Sequence, residues 1–353
     1  MCVDGVSRVI YRHEPRDMRA TPTPLRALAL VATLLVLVLA TGQRNKIQHE
    51  LKSIQMIMKS MYMSPSTIQK TTPCGWLKKF KRQYRLCKND PGIADTLQSA
   101  KQLAISHCEE LFRYNRWNCS RPKKYFRAIF RETALLYAMI SSALTFTVAR
   151  ACADGKLYNC HCAKDHDPKS DVVAWKWGLC GDNIKYGKKF TKQFLQLNQK
   201  GDELQSIMRH NSIIGVNIVT NKRFCTCHGF PKPCKLRICP KQLEPFEKFA
   251  IILKNRYHSA LMSEIGNSAH NKRYKGGKND SLIYLAKSPT FCKSTPGRRC
   301  LNADNCATLC CGRGYATSTV LHKERCKCHW KKSCCTEIKC DNCTYYQDEY
   351  ICK

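Results

Sequence analysis

The sequence predicts an α+β, disulfide-rich protein: a helical N-terminal part followed by a cysteine-rich C-terminal β domain. Two observations carry that reading. The 353-residue chain holds twenty-five cysteines, and twelve of them crowd into Phe291–Lys353, where helical periodicity stops. A chain this long exceeds one ordinary core, so two domains are expected.

The N-terminus sets the compartment. Ala27–Ala40, "ALALVATLLVLVLA", is an apolar run preceded by Arg19 and Arg26 and closed by a small residue. That is the layout of a secretory signal, and the run is shorter than the roughly twenty residues a bilayer span needs. No later segment reads as long and apolar enough to cross a membrane. Cleavage near Ala40 removes Cys2 and leaves an even twenty-four cysteines, twelve in Cys74–Cys239 and twelve in Cys292–Cys352. In an oxidising compartment this predicts two separately cross-linked domains.

Helical signals follow in order. Apolar residues at Ile93, Leu97, Ala100, Leu103, Ala104 and Leu111 form one stripe. Tyr125–Cys152 reads as a longer helix, apolar on most sides. "KKFTKQFLQLNQKGDELQSIMRH" and "LEPFEKFAIILKNRY" read as two more amphipathic helices. Gly266–Ser281, polar and basic, reads as a linker. The segment beyond it cannot bury much apolar area, so short strands pinned by disulfides are expected there. The expected boundaries are therefore 1–40 signal peptide, 41–265 helical domain, 266–290 basic linker and 291–353 cysteine-rich domain.

The formal charge is +34, and about +32 once residues 1–40 are removed. Runs such as "LKKFKRQYRLCK" and "IKYGKKFTK" spread the charge along the chain. Outside the cell the matching polyanions are heparan sulfate and acidic receptors, and nucleic acid does not fit the compartment.

Five blocks occur in sequence: "HCEELFRYNRWNCS", "RETALLYAMISSALTFTVARACADGKLYNCHC", "WKWGLCGDN", "CTCHG" and "CATLCCGRGY". Together with the twenty-four cysteines they resemble the Wnt family of secreted signalling ligands, over about Cys74–Lys353. The resemblance implies a Wnt-like fold with a disulfide-stapled hairpin at Cys225–Cys239. It also implies a pairing. In the first domain this joins Cys74 to Cys87, Cys108 to Cys119, Cys152 to Cys160, Cys162 to Cys180, Cys225 to Cys239 and Cys227 to Cys234. In the second it joins Cys292 to Cys311, Cys300 to Cys306, Cys310 to Cys352, Cys326 to Cys343, Cys328 to Cys340 and Cys334 to Cys335.

The family's partners are implied in the same way: the cysteine-rich domain of a Frizzled-class receptor and an LDL-receptor-related coreceptor. Receptor contacts are implied at Phe230, Pro231, Lys232 and Pro233 in the first hairpin and at Trp330, Ser333, Cys334, Cys335 and Ile338 in the second. In the family pattern a serine after Cys-His-Gly-x carries a monounsaturated fatty acyl ester. Here Pro231, Lys232 and Pro233 replace Ser-Gly-Ser, and no Ser or Thr lies between Cys227 and Cys239. Without a hydroxyl there is no acceptor for the lipid, so no lipidation site is expected. The WntD group of insect Wnts also lacks this serine.

The second tip departs too. Five residues, His329–Ser333, precede the vicinal cysteines where the family has four, and four, Thr336–Lys339, follow where it has three. One added residue per strand pushes the tip out by about 3.3 Å and turns it over. Ser333 stands where the family usually has Trp, and Trp330 lies three residues earlier. In "WKWGLCGDN", Leu179 and Gly181 replace Gly and Ser, and Trp175 and Trp177 read as core anchors.

N-glycosylation sequons occur at Asn118, Asn279 and Asn342. Histidines beside cysteines, at His161, His166, His228 and His329, raise the alternative of a zinc enzyme. Full oxidation leaves no thiolate for a metal, and no nucleophile elbow, phosphate loop or zinc-protease signature is present. No enzyme activity, cofactor or metal is therefore expected. The other alternative is a heparin-binding extracellular matrix protein or antagonist without Frizzled agonism.

Overall fold

A helix that is apolar on every side is stable only when other helices enclose it. The computed structural model places such a helix at its centre. It describes residues 55–61, 73–119, 128–163, 180–199, 203–228, 236–263, 280–330 and 338–353. The signal segment 1–40, Trp175, Trp177 and Asn279 lie outside the described residues.

Helix α1 spans Lys81–Lys88, α2 Gly92–Leu111, α3 Arg131–Ala153, α4 Ile184–Phe194, α5 Glu203–Ile218 and α6 Phe246–His258. Eighteen of the 23 residues of α3 are buried. Helices α2, α4, α5 and α6 pack around it, and Ile57, Met58 and Met61 of a further helical segment, 55–61, join the same core. Two glycines permit the closest crossings. A Cβ on Gly215 of α5 would lie 2.0 Å from the Ala138 carbonyl oxygen, and one on Gly187 of α4 would lie 2.5 Å from that of Thr145. The buried hydroxyls of α3 bond locally: Ser141 donates to the Tyr137 carbonyl at 2.7 Å and Thr145 to that of Ser141 at 2.8 Å.

Several sequence expectations need correction. Helix α3 does reach the length and hydropathy of a membrane span, with a window of mean hydropathy 1.4, but 83% of that window is buried within the protein. It also starts at Arg131, not Tyr125. Phe130 is extended, and the Ile129 carbonyl accepts the N–H groups of Leu285 and Ala286, so tertiary pairing holds this entry out of the helix. The stretch read as one helix from Lys188 to His210 is two, α4 and α5, separated by a turn with Gln196 at φ 56°. Residues 280–290, at the end of the stretch read as a linker, contain a two-residue strand with Leu282 and Ile283 buried in the helical core.

The C-terminal strands are long rather than short. Strands β1 to β6 are Asn221–Arg223, Thr226–His228, Leu236–Ile238, Lys241–Leu243, Leu261–Met262 and Ile283–Tyr284, and β7 is Arg299–Cys300. Beyond these, β8 spans Tyr315–Trp330 and β9 Ile338–Cys352, joined as an antiparallel ribbon in the order β7-β9-β8. A short helix, α7 (Ala303–Leu309), which periodicity did not reveal, precedes the ribbon. The buried cluster here is Cys300, Cys306, Leu309, Cys310 and Cys352. Disulfides thus supply most of what apolar side chains supply in the helical core.

Two junctions, the first partly buried and the second exposed, join these parts. The Glu132 carboxylate accepts the Tyr257 hydroxyl at 2.9 Å and the Ser288 hydroxyl at 2.6 Å, and Arg131 donates to the Tyr284 hydroxyl at 3.0 Å. Burial, and then the charge on Glu132, push the Tyr257 hydroxyl well above its ordinary range. In the second junction Arg298 donates to the carbonyls of Arg116 at 2.8 Å and Arg113 at 2.6 Å, while Arg116 donates back to Thr308 at 2.7 Å. The conspicuous blocks "RETAL" and "RYNRWNCS" therefore act as fasteners.

Overpacking a core costs about 1 to 3 kcal/mol, and the obstacle at Gly215 is backbone, which yields least. Gly215→Ala is expected to lower the melting temperature by several degrees. A melting temperature equal to wild type would show that α3 and α5 do not cross this closely.

Candidate functional site

The first hairpin is built outward from the helical core. Strand β1 pairs with β4 from Asn221↔Leu243 to Arg223↔Lys241. Phe224 N–H donates to the Pro240 carbonyl at 3.1 Å, the Cys225–Cys239 disulfide follows, and β2 pairs with β3 beyond it. Phe230, Pro231, Lys232, Pro233 and Cys234 lie outside the described residues, and with Cys234 so does the Cys227–Cys234 bond. What the structure describes is the stem that presents this tip.

Asp182 fastens the stem. Its side chain is fully buried; one carboxylate oxygen accepts the Leu243 N–H at 2.6 Å and the other lies 3.2 Å from Arg150 Nε on α3. Its own N–H donates to the Lys241 carbonyl at 2.8 Å. Burial raises the carboxyl above its ordinary range, against the opposing pull of the Leu243 N–H and Arg150. Asn183 beside it caps α4, accepting the Tyr186 N–H at 3.0 Å, and donates to the His161 carbonyl at 3.0 Å. At the outer edge of the stem Glu244 takes Lys222 and Lys248, each at 2.9 Å, and these lysines lower its carboxyl pKa. Sequence reasoning passed over Asp182, although it stands in "WKWGLCGDN".

The second hairpin is the ribbon β8–β9. Its register runs from Tyr315↔Cys352 to Trp330↔Ile338, with a one-residue shift between Cys326 and His329 and Lys327 at φ 48°. Disulfides Cys326–Cys343 and Cys328–Cys340 cross it near the tip. Trp330 and Ile338, directly opposed, are 60% and 55% exposed. Ser333, Cys334 and Cys335 lie outside the described residues, and the Cys334–Cys335 bond with them. Of the sequons, Asn342 is exposed on β9 and Asn118 is half-buried in the loop that docks the C-terminal part.

The remaining disulfides among the described residues join Cys74–Cys87, Cys108–Cys119, Cys152–Cys160, Cys162–Cys180, Cys292–Cys311, Cys300–Cys306 and Cys310–Cys352. The sulfurs of Cys300, Cys310 and Cys352 lie within 4.8 Å of one another. Each is already bonded in a disulfide, so this cluster offers no thiolate to a metal.

Because the fold holds the Asp182 proton more tightly than the unfolded chain does, this group's contribution to stability falls as pH rises through the interval above the ordinary carboxylate range. Asp182→Asn is expected to remove that slope in thermal melts. Asp182→Ala leaves the Leu243 N–H buried without its acceptor, at a cost of about 1 to 3 kcal/mol. Hydrogen exchange at the Leu243 amide should accelerate, and unchanged protection there would show that Asp182 does not hold the stem.

A family model described as the wnt family matches residues 77–353. Protein Wnt-4 of Drosophila melanogaster is 37% identical over 303 residues, covering 80% of this chain and 56% of that protein. Protein Wnt-9b of Homo sapiens is 37% identical over 305 residues, covering 79% and 85%. The chain thus spans little more than half of the fly protein and most of the human one. A chain of the solved complex of human WLS with WNT8A superposes with a TM-score of 0.54 at 28% identity, covering 74% of this chain and 94% of that one. With the match running through both hairpins and both junctions, the chain belongs to the Wnt family of secreted signalling ligands.

Proposed function

We propose that this protein is a Wnt ligand that reaches the extracellular space without an O-linked fatty acyl group and engages the cysteine-rich domain of a Frizzled-class receptor through its two hairpin tips. The observation that carries the proposal is the pairing of a retained stem with an altered tip. Asp182 and the Cys225–Cys239 bond hold the first hairpin as a rigid arm, while Pro231 stands where the acylated serine is expected. The WntD group shares the missing acceptor, and on that feature the chain is placed beside it.

The energetic consequence is direct. Each buried acyl methylene contributes about 0.8 kcal/mol, so a ligand without the chain depends on protein contacts. The described residues offer such contacts at the second tip, where Trp330 and Ile338 expose opposed apolar side chains on a doubly cross-linked ribbon. Large apolar anchors of this kind dominate interface energies. An LDL-receptor-related coreceptor and heparan sulfate complete the proposed partners; a helical domain at 41–265 and a cysteine-rich domain at 291–353 are proposed with them, with the end of the 266–290 stretch packing into the helical core. Glycans are proposed at Asn118, Asn279 and Asn342.

The intact mass of deglycosylated protein from conditioned medium is expected to equal the cleaved chain less twenty-four hydrogens, with no added acyl group. A long-chain acyl mass would place a lipid outside the first tip and overturn the proposal. Restoring Ser-Gly-Ser with Pro231→Ser, Lys232→Gly and Pro233→Ser is expected to add that mass in cells carrying the family's acyltransferase.

Trp330→Ala with Ile338→Ala is expected to weaken capture by a Frizzled cysteine-rich domain about tenfold, the loss of one or two kcal/mol common at such anchors. Both side chains are exposed, so the melting temperature should not change. Unchanged capture would remove the second tip from the receptor interface.

A further inference from the structure

The helical part carries a surface that neither hairpin uses. Helices α1 and α4 are about 100 residues apart in sequence, yet they pack side by side, with the Gln83 side chain donating to the Phe194 carbonyl at 2.8 Å. Neither helix contains an acidic residue. On α1, Lys81, Arg82 and Arg85 are exposed; on α4, Lys185 and Lys189 are exposed and Lys192 is half-exposed. The spacing of Lys185, Lys189 and Lys192 puts all three on one side of α4. None of the six forms an ion pair among the described residues.

Between the helices runs an open groove of about 490 Å³, lined by Leu86, Asn89, Lys189 and Gln193 among others. The carboxylate at its edge, Asp90, is buried and already accepts the N–H groups of Tyr158 at 2.8 Å and Asn159 at 3.1 Å. One carboxylate against six lysines and arginines leaves the face strongly positive.

We propose that α1 and α4 form a binding face for a sulfated glycosaminoglycan chain. This deepens the proposed heparan sulfate contact and rests on the extracellular reading. Charge complementarity favours a polyanion. The charges are spread along two rods of about 12 and 16 Å, which suits a linear polymer with repeated sulfates better than a single phosphate. A membrane-surface helix needs an exposed apolar side, and neither helix exposes a large apolar residue. Unpaired lysines and arginines keep their mobility and hydration until the polymer binds, so the face should be strongly salt-sensitive.

The test uses the full secreted protein eluted from immobilised heparin by a sodium chloride gradient. One variant carries Lys81→Gln, Arg82→Gln and Arg85→Gln; a second carries Lys185→Gln, Lys189→Gln and Lys192→Gln. A charge-matched control carries Lys287→Gln, Lys293→Gln and Lys323→Gln, three exposed positions elsewhere. Either helix variant is expected to elute at distinctly lower salt, with affinity reduced about tenfold, the order expected of three screened ion pairs. The control should elute near wild type, and all melting temperatures should agree.

An equal shift in the control would show that net charge alone governs retention and overturn the site. Unchanged elution of both helix variants would do the same. Binding to phosphatidylserine vesicles, or to an acidic polypeptide, that falls in step with heparin binding would reassign the face to a membrane or a protein. Capture by a Frizzled cysteine-rich domain, measured on the same preparations, reports on the ligand reading separately, because none of the six residues lies in either hairpin.

Discussion

Helix α3 sends Leu135, Leu136, Tyr137, Met139, Ile140, Leu144 and Val148 in every direction, and each is essentially fully buried. Burying one such side chain contributes about 1.5 to 3 kcal/mol, so the chain gains most by surrounding α3 completely. That requirement sets the places of α2, α4, α5 and α6. It also explains the glycines at the two closest crossings and the local bonding of the Ser and Thr hydroxyls, which would otherwise be stranded away from water. The surrounding helices in turn fix the stem of the first hairpin, because Arg150 and Asp182 connect the end of α3 to strand β4.

The C-terminal part meets the opposite situation. Its ribbon is exposed along most of both strands, and its buried cluster is chiefly cystine. Cross-links restrict the unfolded chain and so stabilise a structure with little core, by roughly 2 to 4 kcal/mol each. The helical part supplies a second support. Arg298, Asn305 and Thr308 bond to the loop carrying Tyr114 and Arg116, and Phe291 packs beside Trp117. An isolated two-stranded ribbon is marginal in water; here it is tied at its base to a helical body and cross-linked near its tip.

This division of labour bears on signalling. A ligand that contacts its receptor through two narrow tips must hold them rigidly, or the entropy of ordering them is taken from the binding energy. The Asp182 clamp and the disulfides of the two hairpins hold the stems that carry the tips. Their contacts lie outside the Pro231–Pro233 stretch, so they do not depend on the chemistry that the tip carries. The basic helices α1 and α4 lie on the helical body and belong to neither hairpin.

Much of the fold was legible from the residues. The stripe from Ile93 to Leu111, the apolar run of α3 and the disulfide-dense tail are local patterns, and local patterns are what a sequence displays. The five blocks and their cysteine spacing then implied the family. What the sequence could not display depended on partners distant along the chain. Arg131 begins α3 because the Ile129 carbonyl is taken by the N–H groups of Leu285 and Ala286. The ribbon strands are long because disulfides and the junction with the helical part support them. Asp182 reads as an ordinary polar residue after Cys180 and becomes a clamp only when Leu243 and Arg150 meet it. Composition and periodicity thus implied an oxidising compartment and the main helices, and the family resemblance implied the cysteine pairing. Tertiary structure alone decided which charged groups are buried and paired, because the cost of burying a charge depends on the partner that arrives from elsewhere in the fold.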